Sequence, residues 1–271
     1  MQAPKKLLSI LLALALLASG PASAAGSLTA RPALSGTAAA VEINEMNFPD
    51  PVFQAWLTRP DQLGGAGADG QFTPNELAAV TELDLSGLGI ADLTGIRNFF
   101  ALETLNVNNN RLTALDLSGC VGLKYLYCAT NALTRLDLSG CVSLVDLNCE
   151  RNYLTALDLS DCAALERIYC RHNLLEQLDV SGCPELAFLE TFDNRLTSFD
   201  GSMLKKLKFL HIDYNQLTHL DMSGNPALEG NGFVAANNHL ETLTLPDIPD
   251  FTVEAPAFCE QNPRTGYDTV E

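Results

Sequence analysis

A 21-residue period runs through most of this 271-residue chain. Leu102, Leu123, Leu144, Leu165, Leu186, Leu207 and Leu228 fall at that spacing, and each opens a unit. In the unit from Leu123 to Ser143, the pattern is carried by Leu123, Leu126, Cys128, Asn131, Leu133, Leu136, Leu138 and Cys141. A unit this short cannot enclose its own apolar side. It buries that side by stacking on the units before and after it, so the chain is predicted to be a solenoid. Function in a solenoid is sought on the long surface that its stacked coils expose.

The periodicity sets the organisation. Eight coils are predicted over 80–245. The first, from Val80 to Ala101, has 22 residues, and the eighth needs two extra residues before Phe233 comes into register. Residues 1–24 read as a secretory signal, with Lys5 and Lys6, an apolar run from Leu7 to Leu17, and small residues at Ala22-Ser23-Ala24 for cleavage. Residues 25–41 form a leader rich in small residues, and 42–79 a helical unit. There Thr73-Pro74-Asn75-Glu76 has the form of a helix start, with an N-cap, a proline at the first position and a glutamate three residues after the cap. Such a unit would cover the apolar end of the first coil. The tail, 246–271, holds Pro249, Pro256 and Pro263 and shows no period. It is either a cap over the last coil or the approach to a further domain.

Charge and cysteines narrow the partners. The net charge is −17, and removing the signal takes away two lysines and no acid. Binding to nucleic acid or to an anionic membrane surface needs clustered Lys and Arg, so neither is expected, and no membrane insertion is expected after the leader. Eight cysteines in an exported chain would ordinarily suggest disulfides. Here Cys120, Cys141, Cys162 and Cys183 repeat every 21 residues, as do Cys128, Cys149 and Cys170, at positions where other coils place Leu204, Val107 or Ile212. They stand in for aliphatic residues and are read as buried free thiols. Cys259 lies outside both columns.

Leu123 to Leu133, LKYLYCATNAL, matches L-x-x-L-x-[L/C]-x-x-N-x-L, and the match recurs in seven successive coils. The chain thus resembles leucine-rich repeat proteins. The LTxLDLSxC half, as in Leu133 to Cys141, resembles the short-repeat bacterial proteins akin to internalins, and INEMNFPDPVF with the following glycine-rich loop looks like the EF-hand-like cap that precedes such repeats. The resemblance implies a right-handed leucine-rich repeat solenoid, with a parallel β-sheet on the concave face and short strands or turns on the convex face. It also implies a secreted or cell-surface recognition protein. The scaffold serves many ligands, so the motif speaks for fold more than for function.

Aligning Asp69-Gly70 with positions 5 and 6 of an EF-hand loop puts Glu76 at position 12 but Gly65 and Gly67 at positions 1 and 3, where carboxylates belong. No cofactor is expected; Asp69 and Glu76 are all that a weak calcium site would retain. The asparagines at 110, 131, 152, 173, 194, 215 and 238 are read as a structural ladder that satisfies backbone groups. Asp116, Asp137, Asp158, Asp179, Asp200 and Asp221 are read as corner residues accepting the amide two positions on, with a diffuse cation row as the alternative. No catalytic spacing such as HExxH, GxSxG or CxxC occurs, so no enzyme is expected.

The concave face carries the sharpest functional signal. Strand alternation turns Leu126 and Cys128 inward and Tyr125, Tyr127 and Ala129 outward. Stacking the coils then gives three outward columns. One reads Tyr125, Asp146, Arg167, Phe188, Phe209; the next Tyr127, Asn148, Tyr169, Glu190, His211; the third Ala129, Glu150, Arg171, Phe192, Asp213, with Tyr214 just beyond. Exposed rings beside arginines are the composition of binding hot spots, so a host or surface protein is the expected ligand. A glycan on the aromatic rings is the alternative ligand. Rings that merely stabilise the sheet, on a passive spacer, are the alternative role.

Overall fold

The computed structural model describes residues 39–247. The predicted signal, most of the leader, and the tail beyond residue 247, with Pro249, Pro256, Pro263 and Cys259, lie outside the described residues.

The N-terminal unit is built from its caps. Strand β1 (Val41–Glu42) pairs antiparallel with β2 (Gln71–Phe72), Val41 opposite Phe72, so this unit begins at Val41, inside what the sequence suggested was leader. Helix α1 (Pro51–Leu57) starts where Asp50 Oδ1 accepts the amides of Val52 and Phe53, and it buries Phe53, Trp56 and Leu57. Helix α2 (Pro74–Ala79) starts on a reciprocal cap: Thr73 Oγ1 accepts the Glu76 amide, and the Glu76 carboxylate accepts the Thr73 amide at 2.7 Å. Phe48 meets Phe53 edge-on at 5.6 Å, and Phe72 meets Phe99 of the first coil at 5.3 Å, all four rings buried. At Gly95, φ is +100° and a Cβ would lie 2.3 Å from the Asn47 carbonyl oxygen, so only glycine lets the cap and the coil approach this closely.

Asp50 also joins the two parts. Its Oδ2 accepts the amides of Ala91 (2.8 Å) and Asp92 (3.1 Å), so one carboxylate, 6 % exposed, serves four backbone donors from two elements. Burial pushes its pKa up, but the amides of Ala91, Phe53, Asp92 and Val52 outweigh that and hold it below the ordinary carboxylate value.

The coils supply strands β3 (Glu82–Asp84), β4 (Thr104–Asn106), β5 (Ala114–Asp116), β6 (Tyr125–Tyr127), β7 (Arg135–Asp137), β8 (Asp146–Asn148), β9 (Arg167–Tyr169), β10 (Phe188–Glu190), β11 (Phe209–His211), β12 (His219–Asp221), β13 (Phe233–Val234) and β14 (Thr242–Thr244). One strand from each of eight coils forms a parallel sheet in the order β13-β11-β10-β9-β8-β6-β4-β3. Its register follows the sequence period, with Tyr125 opposite Asp146, Asp146 opposite Arg167 and Arg167 opposite Phe188. The two extra residues of the last coil are taken up by a 3-10 turn at Gly230–Gly232, after which Phe233 pairs with Leu210. The central position of every strand in this sheet points inward and is buried, from Leu83 and Leu105 through Ile168 to Phe233. The opposite side carries two short ladders, β5–β7 and β12–β14. Its corners are the expected Asx turns: Asp116, Asp137, Asp158, Asp179, Asp200 and Asp221 each accept the amide of the serine two residues on.

The asparagine ladder staples coil to coil. Asn173 Nδ2 donates to the carbonyls of Cys149 in the preceding coil (3.0 Å) and Cys170 in its own (3.1 Å), while its Oδ1 accepts the Leu154 amide (3.0 Å). Asn152, Asn194 and Asn215 repeat the pattern. The turn that sends each amide inward puts the preceding residue in the left-handed region: Asn109, Thr130, Arg151, His172, Asp193, Tyr214 and Asn237 all lie at φ between 52° and 57°. That conformation costs a non-glycine residue about 1 kcal/mol, which the three hydrogen bonds of the following asparagine offset.

All seven repeat cysteines are free and buried. Burial pushes the thiols of Cys128 and Cys170 up to about 12, and Cys120 and Cys183 to about 11. With little thiolate and little access, these thiols are expected to be silent toward a thiol reagent in the native protein. Denaturation without reductant is expected to release at least the seven; a count well below that would show disulfides and overturn the reading.

Candidate functional site

The outward columns read from the sequence are the solvent side of the eight-stranded sheet, in the expected register. Their surroundings differ from the expectation in three ways.

The rings are less exposed than expected. Tyr125, Tyr127, Tyr169, Phe192, Phe209 and Tyr214 are half-buried, and Phe188 is 37 % exposed. Packing between neighbouring coils causes this. Phe188 and Phe209, opposite each other on β10 and β11, stack at 5.0 Å with their planes 18° apart, and the His211 ring closes on Phe209 at 4.1 Å. Phe192 is met edge-on by His172 at 5.1 Å, with the Arg171 guanidinium 5.4 Å from its centroid. Part of the aromatic ladder therefore serves cross-strand packing.

The arginines are engaged within the face. Arg167 Nε donates to Asp146 Oδ2 at 2.8 Å across the β8–β9 pair. Arg171 joins Glu150 through Nε and Glu190 through Nη1, the latter at 2.9 Å. The sequence pattern offers both residues as ligand-binding groups beside the rings, and their guanidiniums already answer carboxylates one coil away. The signal was present in the sequence as opposite charges 21 residues apart, the spacing that in-register stacking turns into contact. His172 Nδ1 lies 2.7 Å from Asp193 Oδ2 by the same rule, a pair that motif searching missed.

Asp146, taken as an outward ligand group, is only 8 % exposed, and Ala129 is likewise buried. Asp146 Oδ1 is buried with no hydrogen-bond partner among the described residues. Burial, and then the Asp146 charge, raises the pKa of Tyr127 and Tyr169. Burial raises Glu190, with Arg171 opposing and Glu150 adding to the rise. Burial, and then Arg171, lowers His211, which favours its neutral ring against Phe209.

The loop of the N-terminal unit is organised around packing. Glu76 is held in its helix cap, Asp69 Oδ1 accepts the Gln71 amide at 3.2 Å, and a Cβ on Gly67 would come within 2.7 Å of the Phe72 ring. A carboxylate at position 67 would therefore displace the aromatic core. No three His, Cys, Asp or Glu side chains converge on a metal position among the described residues. No helix among them is long and apolar enough to cross a membrane.

No family model and no curated protein matches this sequence. Among solved structures, the chain is similar to an internalin C2 from Listeria monocytogenes at 19 % identity, over 81 % of this chain and 96 % of that one, with a TM-score of 0.64. It is also similar to YopM from Yersinia enterocolitica at 28 % identity, over 65 % of this chain and 41 % of that one, with a TM-score of 0.51. A third similar chain is a TDR receptor, at 21 % identity over 64 % of this chain and 36 % of that one, with a TM-score of 0.52. The fold is that of a leucine-rich repeat solenoid, internalin-like in the way its coils stack.

Proposed function

We propose that this chain is an exported, non-enzymatic recognition protein that takes a protein ligand on the solvent side of its parallel sheet. The observation that carries the reading is the continuity of rings across the adjoining strands β9, β10 and β11: Tyr169, Phe188, Phe209 and His211, with Phe192 beside them and Tyr127 two strands away on β6, across Asn148. Neighbouring packing accounts for how these rings touch one another, but not for spending half-exposed aromatic surface on a face that small polar side chains would also satisfy. Thr104 and Asn106 occupy the same columns nearer the cap.

A protein ligand fits better than a glycan. Phe188 and Phe209 turn their faces to each other, so they offer edges to solvent where a sugar ring would need a flat platform. The receptor among the similar folds agrees in kind with this reading. No cofactor is part of it, since the residues left to a calcium site, Asp69 and Glu76, are engaged in turn and cap.

A screen of the labelled chain against host and surface proteins and against glycans tests the proposal. A captured protein should lose at least about 2 kcal/mol of binding with Phe188→Ala or Tyr169→Ala. Binding at wild-type strength by both variants would sink the reading and leave a passive spacer.

A further inference from the structure

The charge arrangement on this face is unbalanced. Its three outward columns hold four carboxylates, Asp146, Glu150, Glu190 and Asp213, against two guanidiniums, Arg167 and Arg171. Glu150 and Glu190 share the single guanidinium of Arg171, so one negative charge of that trio has no counterpart within it. Asp146 meets Arg167 through one oxygen only, and its Oδ1 is left buried without a partner. That oxygen lies beneath the surface, so what it lends the face is negative charge and not a contact. Beside these acids, on β10 and β11, stands the apolar step of Phe188 and Phe209.

We infer that the ligand of this face is a cationic protein segment, one that sets a lysine or arginine against Glu150 and Glu190, in the negative field that Asp146 adds from beneath, and an apolar side chain against Phe188 and Phe209. The inference rests on the reading of the sheet as a binding face. Neighbouring strands lie about 4.8 Å apart, so β8 is about 10–12 Å from the step between β10 and β11. An extended segment crossing the strands covers that distance in three or four residues, so cation and apolar anchor are spaced accordingly. The arginines orient the acids while leaving the excess charge to the ligand. Acidic glycans and acidic proteins are disfavoured by the same imbalance.

The full chain is titrated with a labelled peptide repeating Lys-Ser-Ser-Phe and with its counterpart repeating Glu-Ser-Ser-Phe, read by fluorescence anisotropy at two salt concentrations. The lysine peptide should bind saturably and weaken with salt, and the glutamate peptide should not bind. Glu190→Gln alone, and combined with Asp146→Asn, should weaken the lysine peptide by about tenfold or more, with thermal melts confirming that both variants fold. Asp158→Asn with Asp179→Asn, on the opposite side, should leave it unchanged, which separates a site from the general attraction of an acidic protein. Equal loss in that opposite-side variant, or no saturable binding of the lysine peptide, overturns the inference. If the glutamate peptide binds and Phe188→Ala abolishes it, the cationic assignment falls while the binding face stands. If neither the acid variants nor Phe188→Ala alters binding of the lysine peptide, both fall.

Discussion

Replacing Asp50 with alanine is expected to destabilise the protein by about 3 kcal/mol, measured by chemical denaturation at neutral pH. The loss of a helix N-cap accounts for about 1 kcal/mol of this. The remainder comes from the amides of Ala91 and Asp92, which lose their acceptor where water cannot easily replace it. Asp50→Asn separates the two roles. Asparagine caps α1 as well as aspartate does, but its NH2 group would face two N–H donors of the first coil, or its oxygen would leave the helix amides instead. An intermediate loss is therefore expected, and a loss equal to that of alanine would show that the bridge accounts for the whole effect. The pH dependence has a definite sign. The folded carboxyl lies below its ordinary value, so its contribution is complete above about pH 4 and disappears as the pH falls through the folded pKa. The variants and the wild type should thus converge in stability on acidification. A difference that persists undiminished in strong acid would contradict this account.

Asn173→Ala is expected to cost at least about 3 kcal/mol, because it strands the Cys149 and Cys170 carbonyls and the Leu154 amide in the interior. Leucine at this position should do no better, since filling the volume leaves the same backbone groups unpaired. The half-buried Asn131 makes the equivalent bonds, to Val107, Cys128 and Leu112, closer to water. Asn131→Ala should therefore cost clearly less. Equal losses at the two positions would mean that the turn conformation, and not the buried hydrogen bonds, sets the energy. The left-handed residues Thr130 and His172 precede these asparagines, so each turn also carries conformational strain that the ladder holds in place.

Much of this protein was legible in the chain because its determinants are local and recur. The 21-residue spacing of Leu102 through Leu228 determined the solenoid. Strand alternation determined which of Leu126 and Tyr127 points inward, and the recurrence of Asn131 and Asp137 identified ladder and corner. Even the two extra residues ahead of Phe233 were visible as a break in the period. What the tertiary structure decided is how far each outward side chain is covered and by what. Asp146 and Asp213 both read as outward, in different columns, yet Asp146 is buried, with Tyr125 and Arg167 on the strands at either side. Arg167 and Arg171 became partners of acids one coil away, and Phe188 turned its face to Phe209, through rotamer choices that a one-dimensional pattern leaves open. Asp50 is the extreme case. The sequence analysis assigned it no role, and only the folded chain brings Ala91 and Asp92, some forty residues away, to its second oxygen.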